Sequence, residues 1–253
     1  MNFKLTLQYD GTDFRGWQTQ DEGRTVQGEL TRVLSLMEGR AVVLHGSGRT
    51  DAGVHAEGQV ASASLERELT PEKLRAAING NLGPDLRVIK AEAVSEAFHA
   101  RYSARGKTYV YRVFNEPVVS PFWQRYALGE ARSLSLERMQ EAAHLFVGEH
   151  DWTAFSAAQS EAGSRLRRVT AMEVRSHWDE RGQGRLIEIY ASAEGFLRYM
   201  VRSIAGCLLA VGRGEIGAEE VERAIRTGER GAINPSAPTA PARGLTLLSV
   251  LYD

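Results

Sequence analysis

Hydrophobic and polar residues alternate at the start of the chain, where residues 3–9 (FKLTLQY) have the period of two that is typical of a half-buried β-strand. From residue 26 the apolar positions fall at helical spacing until Gly39, which is placed to end a helix. Thr70 and Pro71 predict the start of a second helix, as an N-cap followed by proline at the first helical position. Further strands are predicted over residues 41–44, 59–65 and 86–94. The first hundred residues therefore predict the order β-α-β-β-α-β, which is that of a ferredoxin-like unit.

The rest of the chain repeats this order with longer connections. Strands are predicted over residues 107–114, 166–174, 185–191 and 244–252, and helices over residues 136–146, 196–211 and 218–226. We therefore expect an α+β fold made of two similar halves, residues 1–105 and 106–253, with one sheet in each half. A cleft between two such halves is the natural place for a functional site.

Composition narrows the class of protein but does not indicate a function. The 253 residues are 43% hydrophobic and 25% charged, with a formal net charge of −1, which is typical of a folded globular chain that is neither strongly basic nor strongly acidic. No apolar run approaches the roughly 18 residues of a membrane span, and no secretory signal precedes the first strand. The only cysteine, Cys207, excludes an internal disulfide. We expect a cytoplasmic protein without membrane contact.

The densest group of chemically special residues is the loop over residues 45–55 (HGSGRTDAGVH). It lacks the lysine of a Walker phosphate loop, the third glycine of the dinucleotide fingerprint and the Gly-x-Ser-x-Gly pattern of hydrolases. The histidines of the chain lack zinc-site spacing and cysteine partners, so no metal is expected. What remains is a carboxylate, Asp51, close to Arg49 in a glycine-flanked loop. Asp51 is a candidate nucleophile or proton acceptor that a nearby guanidinium would keep ionised, and a purely structural Asp-Arg turn is the alternative.

Two further segments combine cations with aromatic or apolar residues. Residues 98–112 contain four Lys or Arg residues, several aromatics and no acid, as binding of unpaired RNA bases requires, although aromatics packed in a sheet would also explain them. In residues 196–202 (FLRYMVR), Arg198 and Arg202 are four apart on one face of a predicted helix, near its start, where the helix dipole does not favour cations. These arginines either meet an anionic partner or lie on the surface. Arg202, with its apolar neighbours, is the better candidate for a functional role.

Taken together, these segments resemble the tRNA pseudouridine synthase A (TruA) family almost from end to end. The third of the matching segments is similar to the family's active-site signature, and Trp152 is a small departure at a position where the family has phenylalanine. The matching segments, in order, are residues 9–20 (YDGTDFRGWQTQ), 24–28 (RTVQG), 48–56 (GRTDAGVHA), 98–101 with 107–111, 195–206, and 240–245 (APARGL).

The resemblance implies an isomerase that converts uridine to pseudouridine at positions 38, 39 and 40 of the tRNA anticodon stem-loop, without a cofactor or a metal. It implies Asp51 as the catalytic aspartate, Tyr109 against the target base, and Arg49 at an RNA phosphate or the flipped nucleotide. It also implies an arginine paired with Asp51, for which Arg202 is the candidate.

The resemblance further implies the pseudouridine synthase fold. In this fold two ferredoxin-like (βαββαβ) halves have joined, mainly antiparallel sheets with the active cleft between them, and members act on tRNA as homodimers. The alternative from another class is a non-catalytic RNA-binding protein or RNA chaperone with RNA-recognition-like sheets. Such a protein would keep the basic aromatic strand but would have no need of Asp51.

Overall fold

The structure, a computed structural model, describes residues 1–158, 163–233 and 237–253, and these divide into two units. One unit is Met1–Arg105 with Thr246–Asp253, and the other is Gly106–Leu245. The residues Thr246–Asp253, expected in a half of residues 106–253, lie in the first unit. The last strand, β10 (Leu245–Leu251), pairs in parallel with β3 (His55–Ser64).

The first unit is a sheet covered by two helices. The sheet has the order β4-β1-β3-β10, in which β1 (Asn2–Tyr9) is antiparallel to both β3 and β4 (Leu86–Val94), and the short β2 (His45–Gly46) also pairs with β3. Helix α1 (Val26–Glu38) begins where the Thr25 side chain accepts the main-chain N–H of Gly28 and ends at Gly39 with φ +71°. Helix α2 (Pro71–Asn79) is capped in the same way by Thr70.

The second unit is a mainly antiparallel sheet with three helices among its described residues. Its order is β5 (Gly106–Phe114), β9 (Gly184–Ala193), β8 (Leu166–Asp179) and β7 (Gly148–Asp151), and β6 (Leu128–Gly129) adds a parallel pair to β5. The helices are α3 (Leu136–His144), α4 (Met200–Gly212) and α5 (Ala218–Thr227). No helix in the described ranges is long and apolar enough to cross a membrane.

The predicted α+β class with mainly antiparallel sheets is confirmed, but the strand predicted over residues 41–44 is wrong. The Val42 N–H donates to the Ser35 hydroxyl, and the Leu44 carbonyl accepts from the Gln27 side-chain amide. Because side chains of α1 take these main-chain groups, they are not available to a strand ladder, and only β2 pairs there.

Candidate active site

The loop that carries Asp51 connects β2 to β3 in the first unit. The Val54 N–H donates to the Asp51 carbonyl at 3.1 Å, and Gly53 has φ +78°, so residues 51–54 form a type II turn with glycine at the position that requires positive φ. Arg49 is exposed, Thr50 is buried and Asp51 is half-buried. The turn therefore holds Asp51 between a buried neighbour and solvent.

A buried hydrogen-bond network lies under this loop and fixes it to the sheet. The Tyr9 hydroxyl, at the end of β1, is 2.8 Å from the Thr50 hydroxyl. Gln59 on β3 donates from Nε2 to the Gly48 carbonyl at 3.1 Å, and its Oε1 accepts from the Ser47 hydroxyl at 2.7 Å. Buried polar groups that satisfy one another in this way hold one arrangement, because breaking any bond leaves a costly unpaired group.

The segment over residues 10–18 packs directly against the same loop. The Trp17 N–H donates to the Thr50 carbonyl at 3.0 Å, and the Gly53 N–H donates to the Phe14 carbonyl at 3.3 Å. Gly16 has φ +93°, and a Cβ atom there would lie 2.7 Å from the Thr50 carbonyl oxygen, so only glycine fits. The first and third segments of the family resemblance are therefore one packed structure.

Arg49 is held at the surface beside this structure. Its Nε donates to the Gln18 side-chain carbonyl at 3.1 Å. The side chain is exposed, so the guanidinium is oriented by Gln18 and accessible from solvent. Arg49 and Asp51 thus lie in the same loop of the first unit.

Tyr109 lies on β5 in the second unit and is only 7% exposed. Its ring meets the Phe196 ring edge to face, with centroids 5.2 Å apart and planes at 87°. Tyr111, two residues along the strand, is fully buried and donates its hydroxyl proton to the Pro241 carbonyl at 2.9 Å. Burial raises the pKa of Tyr111, so that phenol stays neutral and structural.

Arg202 lies in the first turn of α4 and is half-buried. Its Nε donates to the Ala240 carbonyl at 2.8 Å, and its guanidinium carbon lies 4.9 Å from the centre of the Tyr199 ring. Arg198 also meets this ring, at 4.8 Å, but is exposed. The prediction that both arginines share a helix face is wrong: Tyr199 has φ +66°, so α4 begins only at Met200 and Arg198 precedes it.

Comparison with known proteins identifies the family. A family model described as tRNA pseudouridine synthase matches residues 6–103 and 142–253. This chain belongs to the tRNA pseudouridine synthase family. It is 40% identical over 252 residues to a tRNA pseudouridine synthase A 2 of Bacillus anthracis, with 99% of each chain covered. It is 38% identical over 258 residues to a tRNA pseudouridine synthase A of Thermodesulfovibrio yellowstonii, with 100% of each covered. A tRNA pseudouridine synthase A of Allorhizobium ampelinum is 40% identical over 253 residues, which are 99% of this chain and 94% of that one.

Membership in the tRNA pseudouridine synthase family confirms the resemblance stated from the sequence. The matched ranges include Arg49, Asp51 and Arg202, whereas Tyr109 falls between them. The relatives that are covered almost completely extend the similarity through the segment that holds Tyr109. Sequence reasoning missed the role of Gln59, which it took only as the first residue of a strand. Glutamine is a polar residue that is usually exposed, so its presence among the buried residues of that strand is the signal that could have indicated this role.

In this family member, the Tyr9 network predicts a measurable pH dependence of stability. Burial raises the pKa of Tyr9 from 10.0 to about 12. Below pH 10 the Tyr9 phenol is largely neutral in both the folded and the unfolded protein. Its contribution to the free energy of unfolding is therefore complete there, and it is lost as the pH rises toward 12. Between pH 9 and pH 11 we expect the free energy of unfolding to fall by about 1 kcal/mol more in the wild type than in Tyr9→Phe.

Urea unfolding of both proteins at the two pH values measures this difference. At pH 7, Tyr9→Phe should be less stable by about 1–2 kcal/mol, because the Thr50 hydroxyl loses its buried partner. An identical pH dependence of the wild type and Tyr9→Phe would show that the buried phenol does not contribute in this way.

Proposed function

We propose that this protein isomerises uridine to pseudouridine at positions 38, 39 and 40 of the tRNA anticodon stem-loop, as a cytoplasmic homodimer, with Asp51 as the catalytic residue. The observation that carries the proposal is the placement of Asp51, half-buried on a type II turn in a loop fixed by Tyr9 and Gln59. A carboxylate on a backbone that is held this firmly is suited to act on a substrate that is brought to it. Family membership supplies the substrate, tRNA, and the reaction.

The reaction uses a carboxylate and involves no net oxidation or reduction. The bond between uracil N1 and ribose C1′ breaks, the base turns, and a bond forms between C5 and the same C1′. The proton on C5 leaves and N1 gains one, so that atoms and electrons balance. Attack of Asp51 on C1′, its addition to the uracil ring, and proton removal from C5 each use the ionised carboxylate.

The target base must leave the base stack before Asp51 can reach it, at a cost of a few kcal/mol that protein contacts offset. We assign Tyr109 to contact with this base, since its ring is held by Phe196 and can stack without competing as a base. We assign Arg49 to an RNA phosphate or the flipped nucleotide, which its exposed guanidinium on Gln18 supports. We also assign Arg202 to substrate binding. Local arginines of this kind allow a chain with a net charge of −1 to bind RNA.

Release of tritium from tRNA labelled at uracil C5 tests the proposed function. The expected result is release of one tritium for each pseudouridine formed, with the product mapped to positions 38, 39 and 40. Binding of tRNA without release would favour the non-catalytic RNA-binding protein. Free uracil among the products would instead indicate a nucleoside-cleaving hydrolase. Sedimentation of the free protein tests the homodimer.

The resemblance implies an arginine paired with Asp51, and Arg202 as that arginine stays a prediction that the pH–rate profile of Arg202→Ala tests. A cation favours the ionised form of a neighbouring carboxylate, so its removal should move the acidic limb of the profile to higher pH. Arg198→Ala is the matched control, because Arg198 meets the same Tyr199 ring but is exposed and precedes α4. Coincident profiles for the wild type and Arg202→Ala would rule the pairing out.

A further inference from the structure

Three aromatic rings on the first unit form a column. His45 lies on β2, and His99 and Tyr102 lie in the turn that follows β4. The ring centroids of His45 and His99 are 4.5 Å apart with 35° between the planes, and those of His99 and Tyr102 are 4.4 Å apart with 34°. Tyr102 ends the column with 77% of its surface exposed. The column therefore offers an aromatic ring to solvent.

The column is held in place by hydrogen bonds within its own turn. The His99 Nδ1 atom accepts the main-chain N–H groups of Arg101 at 3.1 Å and Tyr102 at 3.3 Å. The main-chain N–H of His99 donates to the Ser103 hydroxyl at 3.1 Å. Because these bonds fix both the His99 ring and the turn, the platform exists before a ligand binds, which lowers the cost of ordering on binding.

The column is also anchored to the strand that follows the loop of Asp51. Ser62 on β3 pairs with His45 of β2, and its hydroxyl accepts the Ala100 N–H at 3.0 Å. The Tyr252 hydroxyl donates to the Ala100 carbonyl at 2.7 Å. The chain from His45 to Asp51 spans at most about 22 Å when fully extended. His45, one ring of the column, therefore lies within this distance of Asp51.

The charges around the column suit one kind of ligand. Burial and, secondarily, His45 lower the pKa of His99, so its ring is uncharged at neutral pH. Arg101 is exposed, and its guanidinium carbon lies 5.9 Å from the centre of the Tyr102 ring. An exposed aromatic ring with a cation beside it offers one face to a base and one charge to a phosphate.

We propose that this column is a binding site for an unpaired base of the tRNA, which stacks on Tyr102 while Arg101 contacts a neighbouring phosphate. This site rests on the proposed function, because it takes tRNA as the ligand. The base is unpaired because the bases of a duplex are already covered by their neighbours, whereas loops and ends can stack on aromatic side chains. None of its residues is among those assigned to the target uridine, so we expect the site to contribute to binding and not to the chemical step.

Paired substitutions of Tyr102 test the site. With an unmodified tRNA transcript, Tyr102→Leu should raise Kd about tenfold, whereas Tyr102→Phe, which keeps the ring, should stay within about twofold. The single-turnover rate at saturating protein should be unchanged in both. Arg101→Gln should lower the slope of log Kd against log salt concentration by about 0.7, the value for one phosphate of a single strand. Leu36→Ala, at an exposed position of α1, is the surface control.

Photo-cross-linking gives an independent readout of contact. With 5-iodouridine placed in turn at each unpaired position of the anticodon loop, we expect a cross-link from one position to the peptide that contains Tyr102. Equal Kd values for Tyr102→Leu and Tyr102→Phe would overturn the proposal. An altered sedimentation coefficient of Tyr102→Leu with unchanged Kd would assign the column to a protein contact, and would also overturn it.

Tritium release by the wild-type protein separates this inference from the proposed function. Release by the wild type with equal Kd values for the two Tyr102 variants means that the proposed function holds and the base-stacking site is wrong. A tenfold difference between the two variants with no release by the wild type means that the site binds tRNA and the proposed isomerisation is wrong.

Discussion

Asp51→Asn is expected to lower the rate of pseudouridine formation by about 10³-fold or more, while Kd for tRNA changes little. The amide has the size of the carboxylate but cannot act as a nucleophile or accept a proton, and loss of a proton-transfer group alone removes about 10²–10⁴-fold. The turn itself should persist, because the Val54 N–H donates to the main-chain carbonyl of Asp51, which asparagine keeps. Single-turnover tritium release and tRNA binding by the same preparation measure both quantities.

Asp21→Asn is the matched control for this substitution. Asp21 is an exposed carboxylate in the same unit, so the same change of charge is made outside the candidate site. It should leave the single-turnover rate unchanged. Substantial pseudouridine formation by Asp51→Asn, or an equal loss in Asp21→Asn, would contradict a catalytic role for Asp51.

The sequence was sufficient to find the candidate catalytic loop, because local composition marks it. Glycines, an arginine and a carboxylate follow one another in residues 48–53, and both helix starts of the first unit carry their N-cap residues, Thr25 and Thr70. Signals of this kind lie within a few positions of each other along the chain. They can therefore be read without knowing which strands pair.

The network that holds the loop could not be found in this way, because it depends on strand register. Leu7 of β1 pairs with Gln59 of β3, and after a register shift Tyr9 pairs with Ala56. A shift of one residue in such a pair moves side chains to the other face of the sheet, so the meeting of Tyr9 with Thr50 depends on an irregularity that hydrophobic periodicity does not contain.

The start of α4 shows a second limit of periodicity. The apolar pattern over residues 196–211 continues without a break, and it predicts one helix. In the structure the backbone of a single residue, Tyr199, turns to φ +66° and the helix starts after it. Arg198 and Arg202 both contact the Tyr199 ring, but they do not share a helix face. A single left-handed residue is set by tertiary contacts, which the spacing of apolar residues does not report.

Tyr109→Leu is expected to lower kcat/KM for tRNA by about 10- to 100-fold, because it removes the ring proposed to stack on the everted uracil, and stacking of one base contributes about 1–3 kcal/mol. Tyr109→Phe is the matched control: it keeps the ring and its edge-to-face contact with Phe196, and loses only the hydroxyl, which limits the expected loss to about fivefold. Thermal unfolding of both variants separates loss of packing from loss of substrate contact, since Tyr109 is largely buried. If Tyr109→Leu and Tyr109→Phe have equal activity on tRNA, Tyr109 does not stack on the base. The free energy that offsets base eversion must then come from other contacts.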